Sequence, residues 1–289
     1  MLPRILTIIV TYNAMQWIDR CIGSVISSTE RSDIMVIDNA SDDGTPEYIE
    51  EHFPSVMLKE NNANLGFGSA NNAGLSFAME QGYSFVYLLN QDAWVLPETF
   101  ATLLRIFDSD SGKGFGILSP LQMTASMSKM DAQFKKKCAK ALSKGDGEAV
   151  NVPFVMAAHW MVSRRCLETV GGFSPAFPHY GEDNDYINRA RWYGFSAGVV
   201  RTAIAVHDRA SRPRPKAYRM ELKTVYAKTV VSDPKHWPFG SLLKETLWLL
   251  AMGLIHFSSL PWKGIKELWS SYDDLKRNRK LAKKKGAFL

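Results

Sequence analysis

Cysteine is scarce in this sequence. The 289 residues contain three, Cys21, Cys138 and Cys166, far apart and odd in number. That pattern argues against a disulfide framework or a zinc site and fits a reducing cytosol. No secretory leader is expected from the first residues either. After Arg4 only Ile5 to Val10 form an apolar run, too short for a secretory signal. No uninterrupted apolar stretch reaches the roughly 20 residues that span a bilayer. Thr246 to Trp262 comes nearest, but His256, Ser258, Ser259 and Pro261 break it. Internal repeats are absent. So is a basic face on the body of the chain: residues 1–262 carry 26 basic and 26 acidic side chains. A nucleic-acid-binding domain spreads positive charge over its folded surface, so nucleic acid is not an expected partner.

What is present begins with a core. At 46% hydrophobic and 22% charged residues, the chain is globular rather than disordered. Its length suffices for one large domain, or one domain with an appendage. The whole net charge of +6 sits between Lys263 and Leu289, where nine basic residues face three acidic ones. Such a terminal polybasic segment fits an anionic membrane surface. There Ile265, Leu268, Trp269, Tyr272 and Leu275 share one helical face, which suits a helix lying in the membrane interface. For 246–262 an ordinary helix packed on the core is an equal alternative.

The N-terminal part alternates strand and helix. Ile5–Val10, Ile34–Ile37, Val56–Leu58 and Phe85–Leu89 read as strands, with helices over 15–29, from Pro46, and over 69–80. That order implies right-handed crossovers and a mostly parallel sheet. Ligands bind outside the carboxyl ends of such strands. Thr11-Tyr12-Asn13, Asp38-Asn39 and Asn90-Gln91-Asp92 all stand at those ends. Residues 110–150, with Lys135-Lys136-Lys137, read as a surface excursion.

An acidic cluster follows, Gly181-Glu182-Asp183-Asn184-Asp185-Tyr186. Three carboxylates in four residues repel one another, so such a group sits in solvent, binds a cation or moves protons. The plain alternative is a helix start favoured by the helix dipole, with Asp185 pairing Arg189 one turn on.

Taken in order, the motifs carry a resemblance. Val10-Thr11-Tyr12-Asn13 and Val36 to Thr45 resemble the N-terminal signature of family 2 glycosyltransferases. Asn64 to Gly68 with Ala70-Asn71-Asn72 and Gly74, then Leu88 to Asp92, look like the rhamnosyltransferase-like branch. Val170 to Phe173 and Glu182 to Asp185 are similar to that branch's acceptor-side and catalytic motif. The match covers roughly residues 5–210. It implies an α/β chain with a GT-A-type central sheet flanked by helices over 1–233; the charge and periodicity of the tail add a helical, basic, membrane-associating extension over 234–289. The resemblance also implies an inverting transferase that moves a sugar, expected to be rhamnose from dTDP-rhamnose, to a lipid-linked or glycan acceptor in cell-surface polysaccharide synthesis. The expected location is the cytoplasmic face of the membrane.

The resemblance also assigns residues. Thr11, Tyr12, Asn13, Asp38, Asn39, Asn64, Gly66, Asn71 and Gln91 are the expected nucleotide contacts. Asp38 alone could equally cap the turn after its strand. Asp92 is the expected ligand of a divalent ion, Mg²⁺ or Mn²⁺, bridging the diphosphate, with Asn90 and His207 as further ligands. Asn90 replaces the first carboxylate of the family's Asp-x-Asp. Asp183 is the expected base and Glu182 its rival. Trp160, His179, Tyr180 and Asp185 are the expected acceptor contacts. Two other classes fit less well: a sugar-nucleotide-forming nucleotidyltransferase lacks its Gly-rich loop, and a carbohydrate-binding module leaves Asp92 and Asp183 without purpose.

Overall fold

The computed structural model describes residues 3–209, 216–255 and 260–289. Strand β1 (Ile5–Thr11) leads through α1 (Ile18–Ile26) to β2 (Ser32–Asp38), α2 (Thr45–His52), β3 (Met57–Glu60), α3 (Gly66–Glu80) and β4 (Phe85–Asn90). Next come β5 (Ala93–Val95), α4 (Thr99–Asp108), β6 (Phe115–Met123), α5 (Ala132–Leu142), β7 (Ala149–Asn151), β8 (His159–Ser163) and α6 (Arg164–Val170). Then follow α7 (Glu182–Trp192), β9 (Ser196–His207), α8 (Lys216–Ser232), α9 (Pro238–Ile255), α10 (Leu260–Ser270) and α11 (Tyr272–Leu281). Helix α3 begins three residues earlier than the glycine-rich sequence suggests, because Gly66, at φ +78°, enters the helix directly.

The strands form one sheet in the order β3-β2-β1-β4-β8-β6-β9-β5, with β7 also on β9. The first four strands pair in parallel, as the strand–helix alternation implies. Beyond β4 the sheet is mixed: β8 is antiparallel to β4 and β6, while β6 and β9 are parallel. Residues 110–150 are therefore not merely a surface excursion. They supply β6, where Ile117 and Leu118 are fully buried. Gly116, Ser119, Pro120 and Gln122 interrupt its apolar pattern and hide it in the sequence.

Helices cover both sheet faces, as a parallel sheet requires. One core packs α3, α6 and α7 around Trp160, Phe173 and Tyr186. The other packs α1 and α4 around Ile9, Tyr87 and Phe100. A third, smaller core joins Phe177 to Ala227, Val231, Leu242, Leu249, Leu268 and Leu275 from α8 to α11. The face expected to lie in a membrane therefore turns inward: Leu268 and Leu275 are buried, and Ile265 and Tyr272 pack beside them. Trp269 alone of that set stays exposed. Part of the apolar stretch 246–262, including His256, Ser258 and Ser259, lies outside the described residues.

The chain's last residues also dock on the body. The Gly172 N–H donates to Ala287 O at 2.8 Å, and the Asn72 amide donates to Phe288 O at 3.2 Å. A Cβ on Gly171 would collide with Ala287 O. The Gly-Gly pair thus leaves room for a crossing backbone.

Candidate active site

In-register pairing sets Thr11 beside Asp38 and Val10 beside Asn90. The ends of β1, β2 and β4 therefore share one edge. A cleft of about 530 Å³ opens there. Thr11, Tyr12, Asn39, Asn64, Gly66, Gln91, Asn90 and Asp92 line it, together with His179, Tyr180 and Glu182.

Several residues expected to touch the nucleotide also build the edge itself. The Gln91 amide accepts from Tyr12 N at 2.7 Å and donates to Tyr12 O at 3.1 Å. That two-point clamp holds the backbone and leaves the Tyr12 ring 49% exposed, free to stack. Asn39 Oδ1 accepts from the Asn61 amide and Leu65 N, and Asn64 Oδ1 accepts from Gly66 N. These bonds shape the loop that enters α3. Asp38 is buried, and both of its oxygens are engaged: Oδ1 accepts from the hydroxyls of Thr11 and Ser41, Oδ2 from Ser41 N. This is the turn-capping role open to it from sequence. Asn13 accepts from Asp42 N, and the buried Asn71 donates to Phe67 O; neither lines the cleft.

At the metal-type end, the antiparallel pairing Ala93↔His207 brings Asp92 to His207. His207 Nε2 lies 3.4 Å from Asp92 Oδ1, and both residues are buried. Beneath them His159 is fixed in one tautomer. Burial first, and His207 second, depress its pKa to about 3, so it is neutral. Its Nε2–H donates to Val206 O at 2.9 Å, which leaves Nδ1 to accept from the Tyr87 hydroxyl. Among the described residues no three His, Cys, Asp or Glu side chains form a metal-binding group. A carboxylate, an imidazole and the Asn90 amide still fit a divalent ion that draws its other ligands from phosphate and water.

Tyr180 (φ +64°) and Gly181 (φ +86°) turn the chain into α7. Consecutive left-handed residues are uncommon and concentrate at functional sites. A Cβ on Gly181 would meet Val225 Cγ1, so glycine alone fits the turn. Glu182 lines both the cleft and an adjoining cavity of about 220 Å³; Asp183 lines only the second. Burial, and then the neighbouring Asp183, push the Glu182 carboxyl up to about 8. Its Oε2 is buried without a hydrogen-bond partner. Burial also raises Asp183, opposed by the two Asn184 N–H donors and by Lys137 and Arg209. The two neighbouring carboxyls raise the cost of charging one another.

Two expected acceptor residues lie elsewhere. Trp160 is fully buried, donates to Val155 O and stacks on Phe173. Asp185 is buried against Arg189 at 2.7 Å, and Arg189 also donates to Val170 O and Gly172 O. Asn278 of α11 reaches Asp185 at 3.4 Å. The plain pairing with Arg189 is the arrangement found. His179 and Tyr180 do face the cleft. Sequence reasoning missed Lys137, hidden in a lysine run, and Arg209, two residues beyond His207, whose Nε lies 3.2 Å from the His207 ring nitrogens. Helical spacing from Phe134 and Cys138, both buried, could have singled out the basic face of α5.

Comparison with known proteins bears on the family and the fold. The family model for glycosyl transferase family 2 matches residues 7–171. A Micrococcus luteus undecaprenyl-phosphate mannosyltransferase is 33% identical over 35% of this chain and 43% of its own length. A Mycobacterium tuberculosis N-acetylglucosaminyl-diphospho-decaprenol L-rhamnosyltransferase is 26% identical over 70% of this chain and 75% of its own. The Pyrobaculum calidifontis mannosyltransferase solved with GDP-Man and Mn²⁺ superposes with a TM-score of 0.58 at 18% identity, over 98% of this chain and 74% of that one. S. aureus TarS solved with UDP-GlcNAc gives 0.61 at 14% identity, over 96% and 86%. These structural likenesses speak to the fold.

Proposed function

The chain belongs to glycosyl transferase family 2, and from that premise we propose an inverting transferase that moves a sugar from a nucleoside diphosphate to a polyprenol-linked acceptor. One observation carries the reading: Asp92, paired with His207, and Glu182 line the same cleft, and Asp183 lines the cavity that adjoins it at Glu182. The donor's phosphates belong at Asp92 and the acceptor's hydroxyl at Asp183. Rhamnose from dTDP-rhamnose is the proposed donor, supported by the rhamnosyltransferase relative.

Asp183 accepts the acceptor's hydroxyl proton. The oxygen then forms its bond to the anomeric carbon from the face opposite the nucleotide. The bond from that carbon to the phosphate oxygen breaks, and its electron pair leaves with the nucleoside diphosphate. Attack from the opposite face inverts the configuration. Glu182, held protonated near neutral pH, limits the negative charge beside the base. A divalent ion held by Asp92, His207 and Asn90 would neutralise charge on the leaving diphosphate.

The proposed protein works peripherally at the cytoplasmic face of a membrane, and its exposed apolar side chains support the membrane contact. On the described residues Trp237, Leu247, Leu254, Ile255, Trp262 and Trp269 are exposed together with the basic tail. Helix α9 is long and apolar enough to cross a bilayer, and 22% of it is buried. Asp183→Asn is expected to abolish transfer while leaving nucleotide affinity unchanged. Transfer by that variant would remove Asp183 as the base.

A further inference from the structure

The cavity holding Asp183 does not end there. It shares Lys137, Phe154, Asn184 and Tyr226 with a third cavity of about 370 Å³ between α5, α7, α8 and α9. The donor cleft, this cavity and the third therefore adjoin in sequence, the first two at Tyr180 and Glu182, and Lys244 lines the last. The near cavity, at 220 Å³, is less than half the donor cleft, a size for a sugar rather than a nucleotide.

Charge along these cavities is uneven. Asp233 is matched by His236 at 3.5 Å and by Lys235 N. Burial raises the Glu245 pKa and so disfavours its charged form. Arg191 is spent on the carbonyls of Val152 and Pro153. Lys137 and Lys244 make no ion pair among the described residues; Lys137 rests over the Phe154 ring at 5.2 Å. Lys137 thus stands where the two cavities meet, near Asp183, and Lys244 lines the far one, near Glu245, with no carboxylate at ion-pair distance from either.

Beyond Lys244, α9 carries Leu247, Ala251, Leu254 and Ile255 at helical spacing from it, and all are exposed. The opposite face, with Leu242 and Leu249, packs into the third core. A charged pocket thus opens onto an apolar ridge of about 12 Å from Leu247 to Ile255, at 1.5 Å per residue.

We propose that the two cavities beyond the donor cleft bind the phosphate-bearing end of a polyisoprenyl-linked acceptor. Lys137 and Lys244 hold its phosphates, and the α9 ridge carries the first isoprene units. The acceptor sugar then lies in the near cavity, with its hydroxyl at Asp183. The inference rests on the transferase reading and adds a binding site separate from the donor cleft.

Farnesyl diphosphate is a short, soluble probe of the site. Its binding to the full chain is measured by calorimetry with the nucleoside diphosphate held at saturation. Binding is expected to persist there, and to weaken at least roughly tenfold in Lys137→Ala/Lys244→Ala, the scale of lost charge-assisted contacts. Both lysines are exposed, so the variant should keep the wild-type melting temperature. Farnesol and inorganic pyrophosphate are each expected to bind more weakly than farnesyl diphosphate. Displacement of the probe by nucleotide, undiminished binding in the double variant, or equal binding of pyrophosphate would each overturn the proposal. If nucleotide itself fails to bind, the transferase reading falls instead. If nucleotide binds and farnesyl diphosphate does not, this site alone falls.

Discussion

At the scale of single residues, the acidic cluster divides its labour. Three carboxylates that look alike in sequence end in three environments: Glu182 at the junction of two cavities, Asp183 beside Lys137 and Arg209, and Asp185 buried on Arg189. Periodicity predicted the Asp185–Arg189 pair, but the orientation of Glu182 depends on the left-handed turn at 180–181, which no local pattern announces. The Glu182 carboxyl stands at about 8 in the folded chain against an ordinary 4.5. Between those values the folded state holds more protons than the unfolded one, so this group's contribution to stability falls as pH rises. Glu182→Gln lacks that slope. Its melting temperature should gain on wild type from pH 4.5 to 8 and gain no further above; a constant difference would contradict this. Arg189→Met leaves Asp185 buried and unpaired. Urea unfolding should show a loss of about 3–5 kcal/mol, the usual penalty for breaking a buried pair.

At the scale of elements, β1, β2 and β4 were legible because β-branched and apolar runs end in polar residues. Strand β6 was not, since polar residues and a proline interrupt it. The antiparallel half of the sheet depends on distant partners, β8 on β4 and β9 on β5, so no local pattern encodes it. That half nevertheless makes the metal-type pair, because only the β5–β9 register joins Asp92 to His207. Helix α3 meets the cleft through Gly66, whose φ of +78° suits glycine and where a Cβ would strike Pro178 O. Pro178 and His179 also line the cleft. Gly66→Ala should therefore push that loop and weaken nucleotide binding on the order of tenfold, the equivalent of 1–2 kcal/mol of strain. Unchanged donor affinity would show that the loop yields freely.

At the scale of the whole molecule, the C-terminal helices belong to the packing of the body. Their amphipathic pattern was legible; which side the apolar face would take was not, because a core and a membrane both accept it. Deleting residues 263–289 would strip Leu268, Leu275 and Asn278 from their buried partners, so it would confound anchoring with unfolding. Exposed side chains give a cleaner measurement. Trp262→Ala/Trp269→Ala should reduce sedimentation with anionic vesicles while leaving the fold intact, and the binding that remains should weaken with salt. Equal sedimentation of variant and wild type would argue against the membrane surface proposed here.

The contact between Asp185 and Asn278 joins residues 93 apart. On a ribosome adding roughly 5–20 residues per second, α7 emerges about 5–20 s before the helix that completes its buried polar cluster. During that interval the nascent chain holds its proton-handling segment unfinished. The buried polar cluster under α7 is therefore completed last, by a helix of the basic tail.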